Sequence, residues 1–443
     1  MKIKLSDHFT YSKLLRFVFP SIIMMVFTSI YGVVDGLFVS NFAGKTAFAS
    51  INLVMPFVMI LGGIGFMIGT GGTALVSKVL GEGKKEKANK IFTMMIIFTL
   101  LLGALLSVIG VISMPWVAKF LGATEEMMAD CVLYGRIVTG FTVAFMLQNV
   151  FQSFLIAAEK PKLGLLATVL AGITNMALDA IFIIVFKWGV AGAAIATGLS
   201  QCVGGIFPLI YFSRKNSSLL RLTKTKLEIK PILNACGNGS SELMSNISSS
   251  VVSMIYNFQL MKYVGEDGVS AYGVLMYVQF IFVAIYIGYS IGCAPITGYH
   301  FGARNHNELK NMLRKSSFLS AVSGVVLTIL AIALSSPLAK LFVGYDKELY
   351  ELTRHAFRLF AYSFLLAGFN IFTSSFFTAL NNGAVSAAIS FMRTLIFQTS
   401  SVLILPIFLG VDGIWWAITV AEFFAFILSL IFLFAKRKKY NYI

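Results

Sequence analysis

Most of the 19 acidic residues in this 443-residue chain fall between hydrophobic runs, but Asp35, Asp179, Glu242 and Glu422 fall inside them. A carboxylate at mid-membrane costs about 2.5–3.5 kcal/mol, so each of the four needs a reason to be there. Two of them share a depth. Asp35 stands about six residues before the far end of the first run, roughly 9 Å below it at the helical rise, and Asp179 about seven residues before the far end of the fifth. Asn175 lies four residues before Asp179, on the same helix face and one turn deeper. Thr197 sits about seven residues into the sixth run, after the turn at Trp188-Gly189. Two carboxylates, an amide and a hydroxyl therefore converge on one level. Such an oxygen-rich set suits a hard cation such as Na⁺. It also suits a shared proton, because two close carboxylates cannot both stay ionised cheaply. The plainer alternative is that each aspartate only caps or hydrogen-bonds within its bundle.

The elements that position these groups are hydrophobic helices. The chain is 58% hydrophobic and 12% charged, whereas soluble domains carry about 25% charge. Apolar runs of 18 residues or more recur along its length. Twelve spans are predicted, at roughly 14–40, 47–78, 92–117, 131–157, 163–186, 190–212, 232–261, 269–300, 316–338, 352–379, 386–409 and 413–435. A β-barrel is excluded, since its strands are about ten residues long and alternate in polarity. The first residues carry Lys2, Lys4 and Asp7 without a small-residue cleavage site, so no removable signal is expected. The net charge of +16 is a topology signal rather than a nucleic-acid footprint. Of the 35 Lys and Arg, 25 cluster before the first span, between even- and odd-numbered spans and after the last, against six on the other side. The positive-inside rule then places both termini in the cytoplasm. Cys131, Cys202, Cys236 and Cys293 lack metal-binding spacing and read as small apolar residues within helices.

The chain also repeats itself. At an offset of 221, Gly44 meets Gly265, Gly71 meets Gly292, Gly81 meets Gly302, Ser153 meets Ser374, Ala158 meets Ala379 and Gly189 meets Gly410. Between the third and fourth spans the register slips by one, pairing Arg136 with Arg358, and this symmetry favours a structural role for both. Doubled apolar halves are a common architecture of secondary transporters, with the substrate bound between them. Residues 1–213 are expected to form an N-lobe of six helices, 214–231 a cytoplasmic linker, and 232–443 a C-lobe of six. Small residues such as Gly62, Gly63, Gly65, Gly69, Gly71 and Gly72 mark the second helix, allowing close backbone approach in lipid. At the same offset Asp35 becomes Tyr256, Asn175 becomes Ile396, Asp179 becomes Ser400 and Thr197 becomes Ile418. One coupling site per molecule, in the N-lobe, is the economical reading.

Other polar groups are harder to place. Glu242, about ten residues into the seventh span, could bind a cationic substrate or pair with a basic group. Arg393 and Glu422 are separated by about 10 Å in depth on helical rise alone, so depth does not secure a direct pair between them. Met is adaptable and recurs on promiscuous binding surfaces, which makes Met55, Met276 and Met392 candidate cavity residues among the 19 methionines. Asn52, Gln152 and Gln279 join them as polar side chains within spans.

The doubled 6 + 6 arrangement, Pro20, Val34-Asp35-Gly36, the Asn175-x-x-x-Asp179 pair and the matched Gly-Val-x-Gly turns together resemble the multidrug and toxic compound extrusion (MATE) family. The resemblance covers essentially the whole chain, and Gly239-Ser240-Ser241-Glu242 with Ala421-Glu422 looks most like its bacterial MepA-type branch. It implies an all-α polytopic fold of twelve helices in two pseudo-symmetric lobes, and the export of amphipathic, cationic compounds against inward Na⁺ or H⁺. It also maps a cation site onto Asp35, Asn175, Asp179 and Thr197, with the backbone carbonyl of Ala193. The tenth span has no acidic residue in its interior, unlike the branch with C-lobe cation sites. The expected partners are amphipathic drugs and membrane lipid, with no nucleic acid, no cofactor beyond the coupling ion, and a monomer in a bacterial plasma membrane. A lipid-linked-sugar flippase of the wider superfamily is the alternative, although such proteins usually have additional spans and a strongly basic cavity. A membrane-embedded transferase is disfavoured because His8, His300, His306 and His355 are scattered, with no HxxxxD or DDxxD pattern. No phosphate-cradling loop is present, so direct use of ATP is not expected.

Overall fold

The computed structural model describes residues 3–442, apart from the side chain of Lys45; Lys2 lies outside the described residues. The first half contains α1 (Tyr11–Phe38), α2 (Lys45–Gly81), α3 (Lys85–Phe120), α4 (Glu125–Gly140), α5 (Thr142–Ala157), α6 (Pro161–Asp179) and α7 (Gly189–Ser213). The second contains α8 (Ile229–Tyr263), α9 (Glu266–Gly302), α10 (His306–Val343), α11 (Lys347–Ala361), α12 (Phe364–Ala379), α13 (Gly383–Phe391), α14 (Gln398–Leu409) and α15 (Val411–Tyr440). Helices satisfy their own backbone groups, which the hydrocarbon core demands. No strand occurs among the described residues.

Among the described residues nine helical stretches are long and apolar enough to cross a membrane, one of them α13 and α14 joined through Met392–Phe397, or eleven if α4 with α5 (bent by 54°) and α11 with α12 (bent by 48°) each count as one span. The seventh predicted span is α8, which is long enough but carries Asn238, Ser241, Glu242, Asn246 and Ser248 along its length. One side of it packs against α2 and α13, while Val251, Met254 and Phe258 stay exposed. A helix this polar is stable in a membrane only when its polar side is turned toward protein or a water-filled space.

Helices of each half pack mainly with one another, and the halves meet where α1 and α2 face α8 and α9. Glycines permit that meeting. A Cβ on Gly81 would stand 1.9 Å from the Tyr299 carbonyl oxygen, and one on Gly302 would stand 1.9 Å from that of Lys78. These two repeat mates thus face each other across the approximate two-fold axis. Further along the same helix, Gly71 and Gly239 meet in the same way. The turns that open matched helices also share backbone geometry: Gly44 and Gly265 have φ of 101° and 89°, and Gly189 and Gly410 of 53° and 59°. At Gly44 and Gly265, where ψ is 166° and −153°, only glycine adopts the combination without strain.

The repeat register differs in one respect from the sequence-based alignment. Pro115 and Pro337 occupy equivalent places in the third spans, α4 and α11 start at Glu125 and Lys347, and α5 and α12 run over Thr142–Ala157 and Phe364–Ala379. The offset is therefore 222 from the third spans to the start of the fifth, and returns to 221 at Gly189 and Gly410. Gln148 consequently answers to Asn370, and Ser153 to Ser375 rather than Ser374. Asp179 answers to Ser400 or Ser401, neither of which carries a charge.

Both termini lie on one face, termed here the terminal face: Leu5, Phe9, Tyr440 and Tyr442 belong to a single buried cluster. Leu5 and Phe9 are fully buried. The Leu5 N–H donates to Glu159 Oε1 (2.8 Å), in the turn after α5, and the Phe9 N–H donates to Glu308 Oε1 (3.0 Å) on α10. This N-terminal strap therefore links the two halves.

The candidate cation site

Three helices carry the sequence-predicted residues. Asp35 lies one turn before the end of α1, Asn175 and Asp179 close α6, and Ala193 and Thr197 lie one turn apart on α7; α6 packs against both α1 and α7, and residues Val39–Ala43 that follow α1 touch α7. The carboxylates of Asp35 and Asp179 face each other, with the Asn175 amide beside Asp35. Asn175 and Asp179 are 2% and 0% exposed. Both carboxylate helices change character here. Asp179 is the last residue before a π segment, Ala180–Val185, and Asp35 precedes another, Val39–Ala43, by one turn. Such π turns are rare and concentrate at functional sites, because the extra residue redirects side chains that a regular helix would hide.

Asp35 Oδ1, Asn175 Oδ1, both oxygens of Asp179 and Thr197 Oγ1 are buried without a hydrogen-bond partner. Buried oxygens are normally paired, and facing carboxylates can pair only by sharing a proton or a cation. The donor set, all oxygen, fits a hard monovalent cation or a proton. Among the described residues no three of His, Cys, Asp and Glu gather as a metal-binding group.

Two residues missed at the sequence level belong to this site. Tyr134 of α4, 1% exposed, faces both Asp35 and Asp179. Tyr31, one turn before Asp35 on α1, lies against Asp35 and Gln148. Tyr31 could have been found from its i, i+4 relation to Asp35; nothing in the local sequence marks Tyr134. A cavity of about 390 Å³ opens on the face opposite the termini, lined by Ala43, Asp130, Lys187 and Val190 among others. Asp130 is one turn before Tyr134, so this cavity lies at the ends of the helices that build the site.

The proposed cavity residues are spread more widely. Asn52 is exposed and donates to the Phe48 carbonyl of its own helix (2.9 Å). Met55 packs against a cluster of the first half, and Met276 against one of the second. Gln152 is buried beside Gln148, Gly164 and Gly204, inside the first half rather than between the halves. Glu242 is partly buried on α8; one turn later, Asn246 touches Gly63 of α2, at the junction of the halves. Gln279 is partly buried with an unpartnered Oε1, and Met392 is partly buried at the start of a third π segment, Met392–Phe397.

Arg393, in that π segment, forms the direct pair that depth alone left open. Its Nε lies 2.9 and 3.0 Å from Glu422 Oε1 and Oε2, and Nη2 lies 2.7 Å from Oε1. The pair spans the difference in depth because an arginine side chain is long and the π turn redirects it. Asn370 Nδ2 donates to Glu422 Oε2 (2.7 Å) and to its backbone oxygen (2.9 Å). Arg136 donates from Nε to the Val111 carbonyl (3.2 Å), tying α4 to α3.

Doubled helices around a buried oxygen cluster define a polytopic membrane transporter rather than an enzyme. The MatE family profile matches residues 20–181 and 243–401, and the chain belongs to that family. Curated relatives include the multidrug export protein MepA of Staphylococcus haemolyticus, 24% identical over 97% of this chain and 94% of that protein. MepA of Staphylococcus aureus is 23% identical with the same coverage. Among solved structures, an outward-facing multidrug resistance MATE family transporter superposes with a TM-score of 0.92 at 22% identity, covering 98% of both chains. A MOP superfamily transporter from Pyrococcus furiosus gives 0.91 at 22% identity, covering 98% of this chain and 97% of that one.

Proposed function

We propose that the protein is a secondary active multidrug efflux transporter. It moves amphipathic, cationic organic compounds out of a bacterial cell against inward Na⁺ or H⁺, with both termini in the cytoplasm and the two six-helix lobes (1–213 and 232–443, joined by 214–231) rocking about a central cavity. The observation that carries this reading is the set of orphaned buried oxygens on Asp35, Asn175, Asp179 and Thr197. Membership of the family and the multidrug export names of its relatives support the substrate class.

The physical cycle follows from charge. With Asp35 and Asp179 ionised, the cavity attracts a cationic drug. An inward-moving Na⁺ or proton binds the two carboxylates, with Asn175, Thr197 and the Ala193 carbonyl completing the shell, and removes that attraction. The drug is then released outward, and the ion leaves toward the cytoplasm as the lobes reverse. An ion can drive the change only through its different affinities for the two states. The close glycine contacts seal the terminal face, so drug release proceeds on the opposite side. Purified protein in proteoliposomes, with a Na⁺ or H⁺ gradient and a fluorescent cationic drug, tests this directly. Gradient-driven drug movement is expected; drug movement indifferent to both gradients would refute ion coupling.

A further inference from the structure

The second half contains a polar centre built from the same spans as the cation site. At the structural offsets Gln148 answers to Asn370, Gln201 to Glu422 and Asp35 to Tyr256. Gln148 and Asn370 are both buried, at 4% and 0% exposure. Around Glu422, itself 2% exposed, Arg393 makes three hydrogen bonds and Asn370 two. Ser429 Oγ donates to Asn370 Oδ1 (3.3 Å), which fixes the amide so that its NH₂ points to the carboxylate. The titratable groups that face Glu422 are Arg393, Tyr256 and Tyr286. Each half thus buries carboxylate charge. Among the described residues no cationic side chain answers it in the first half; in the second, a guanidinium does.

We propose that Arg393 is a tethered cation, filling in the second half the role that an exchangeable Na⁺ or proton fills in the first. The inference rests on the reading of the first-half site given above. A guanidinium cannot lose its proton in a protein and cannot diffuse away. Its planar fork matches the carboxylate, and the π segment that carries it turns it across to α15. The second half therefore stays permanently loaded, and only the first half exchanges an ion during the cycle. Removing the guanidinium would leave Glu422 buried and uncompensated, and a mobile cation or proton would then be recruited in its place.

The test uses the full chain in an Asp179→Asn background, where the first-half site is silenced, and reads the thermal unfolding midpoint across Na⁺ and pH titrations. Asp179→Asn alone should respond to neither ion; a full residual response there would refute the first-half reading instead. Adding Arg393→Met should create a response, with Na⁺ or acidification raising the midpoint by about 2–4 °C. Adding Glu422→Gln to that variant should abolish the new response, and Arg393→Lys should never show it. A folded Asp179→Asn/Arg393→Met protein indifferent to Na⁺ and pH would overturn the proposal. Should that variant not survive purification, the neutral pair Arg393→Met/Glu422→Gln decides the matter with Asp179 intact. Its drug efflux should keep the half-saturating ion concentration within about twofold, whereas loss of ion dependence would place an exchanging ion at Glu422 and refute the tether.

Discussion

At the scale of single residues, charge rather than shape defines the cation site. Asp179→Asn preserves size and much of the hydrogen-bonding capacity but removes one of two facing charges. Ion-driven drug efflux should fall at least about tenfold while the protein inserts and folds normally; measurement in proteoliposomes checks both. Tyr134 faces both carboxylates from a third direction. Tyr134→Phe keeps the ring and deletes a hydroxyl dipole close to both carboxylates, so the half-saturating ion concentration should rise by about two- to threefold. The second-half counterparts should behave differently. Tyr256, whose buried hydroxyl has no partner, stacks on Tyr272 at 5.0 Å. Tyr256→Phe and Ser400→Ala should therefore retain gradient-driven transport within about threefold, and loss of cation dependence in either would move the site to the other half.

At the scale of elements, the junctions between helices hold the information. Gly81 and Gly302 bring α2 and α9 into backbone contact at the terminal face. A methyl at Gly81 would meet main-chain atoms, which cannot rotate aside as a side chain can, so the halves must part there. Gly81→Ala should cut drug efflux about tenfold and increase labelling of cysteines engineered into the terminal face, with a stability loss of about 1–3 kcal/mol. The strap adds a second closure on that face through Glu159 and Glu308. Close by, burial works against the charge of Asp7, but the Lys13 ammonium and the Lys4 N–H hold its carboxyl below its usual value. That knot contributes stability above a pH of about 4 and loses it only as pH falls through the depressed value, so it is constant across the physiological range.

At the scale of the whole molecule, exchange requires that drug and ion oppose each other. Raising Na⁺ or lowering pH should weaken binding of a cationic drug to purified protein, and Asp35→Asn should blunt that antagonism. Fluorescence anisotropy of a cationic dye across both titrations reads the effect. If neither ion alters dye affinity in the unsubstituted protein, competition is the wrong scheme and the buried aspartates are structural.

The sequence by itself determined the helical membrane class, the doubling and four carboxylates that could not be idle, because hydropathy, period and the cost of a buried charge are local properties. It placed Asp35, Asn175 and Asp179 at a common level, since depth along a straight helix follows from residue number alone. The tertiary structure decided what depth cannot. It brought Tyr134 to the carboxylates across two helices and set Gln152 inside one half. Through π turns that leave no periodic signature, it sent Arg393 to Glu422 across a separation that helical rise alone had left open. It also widened the one-residue slip of the repeat, already visible between the third and fourth spans, to run from the third spans to the start of the fifth, because register is fixed by how helices pack rather than by which residues look alike.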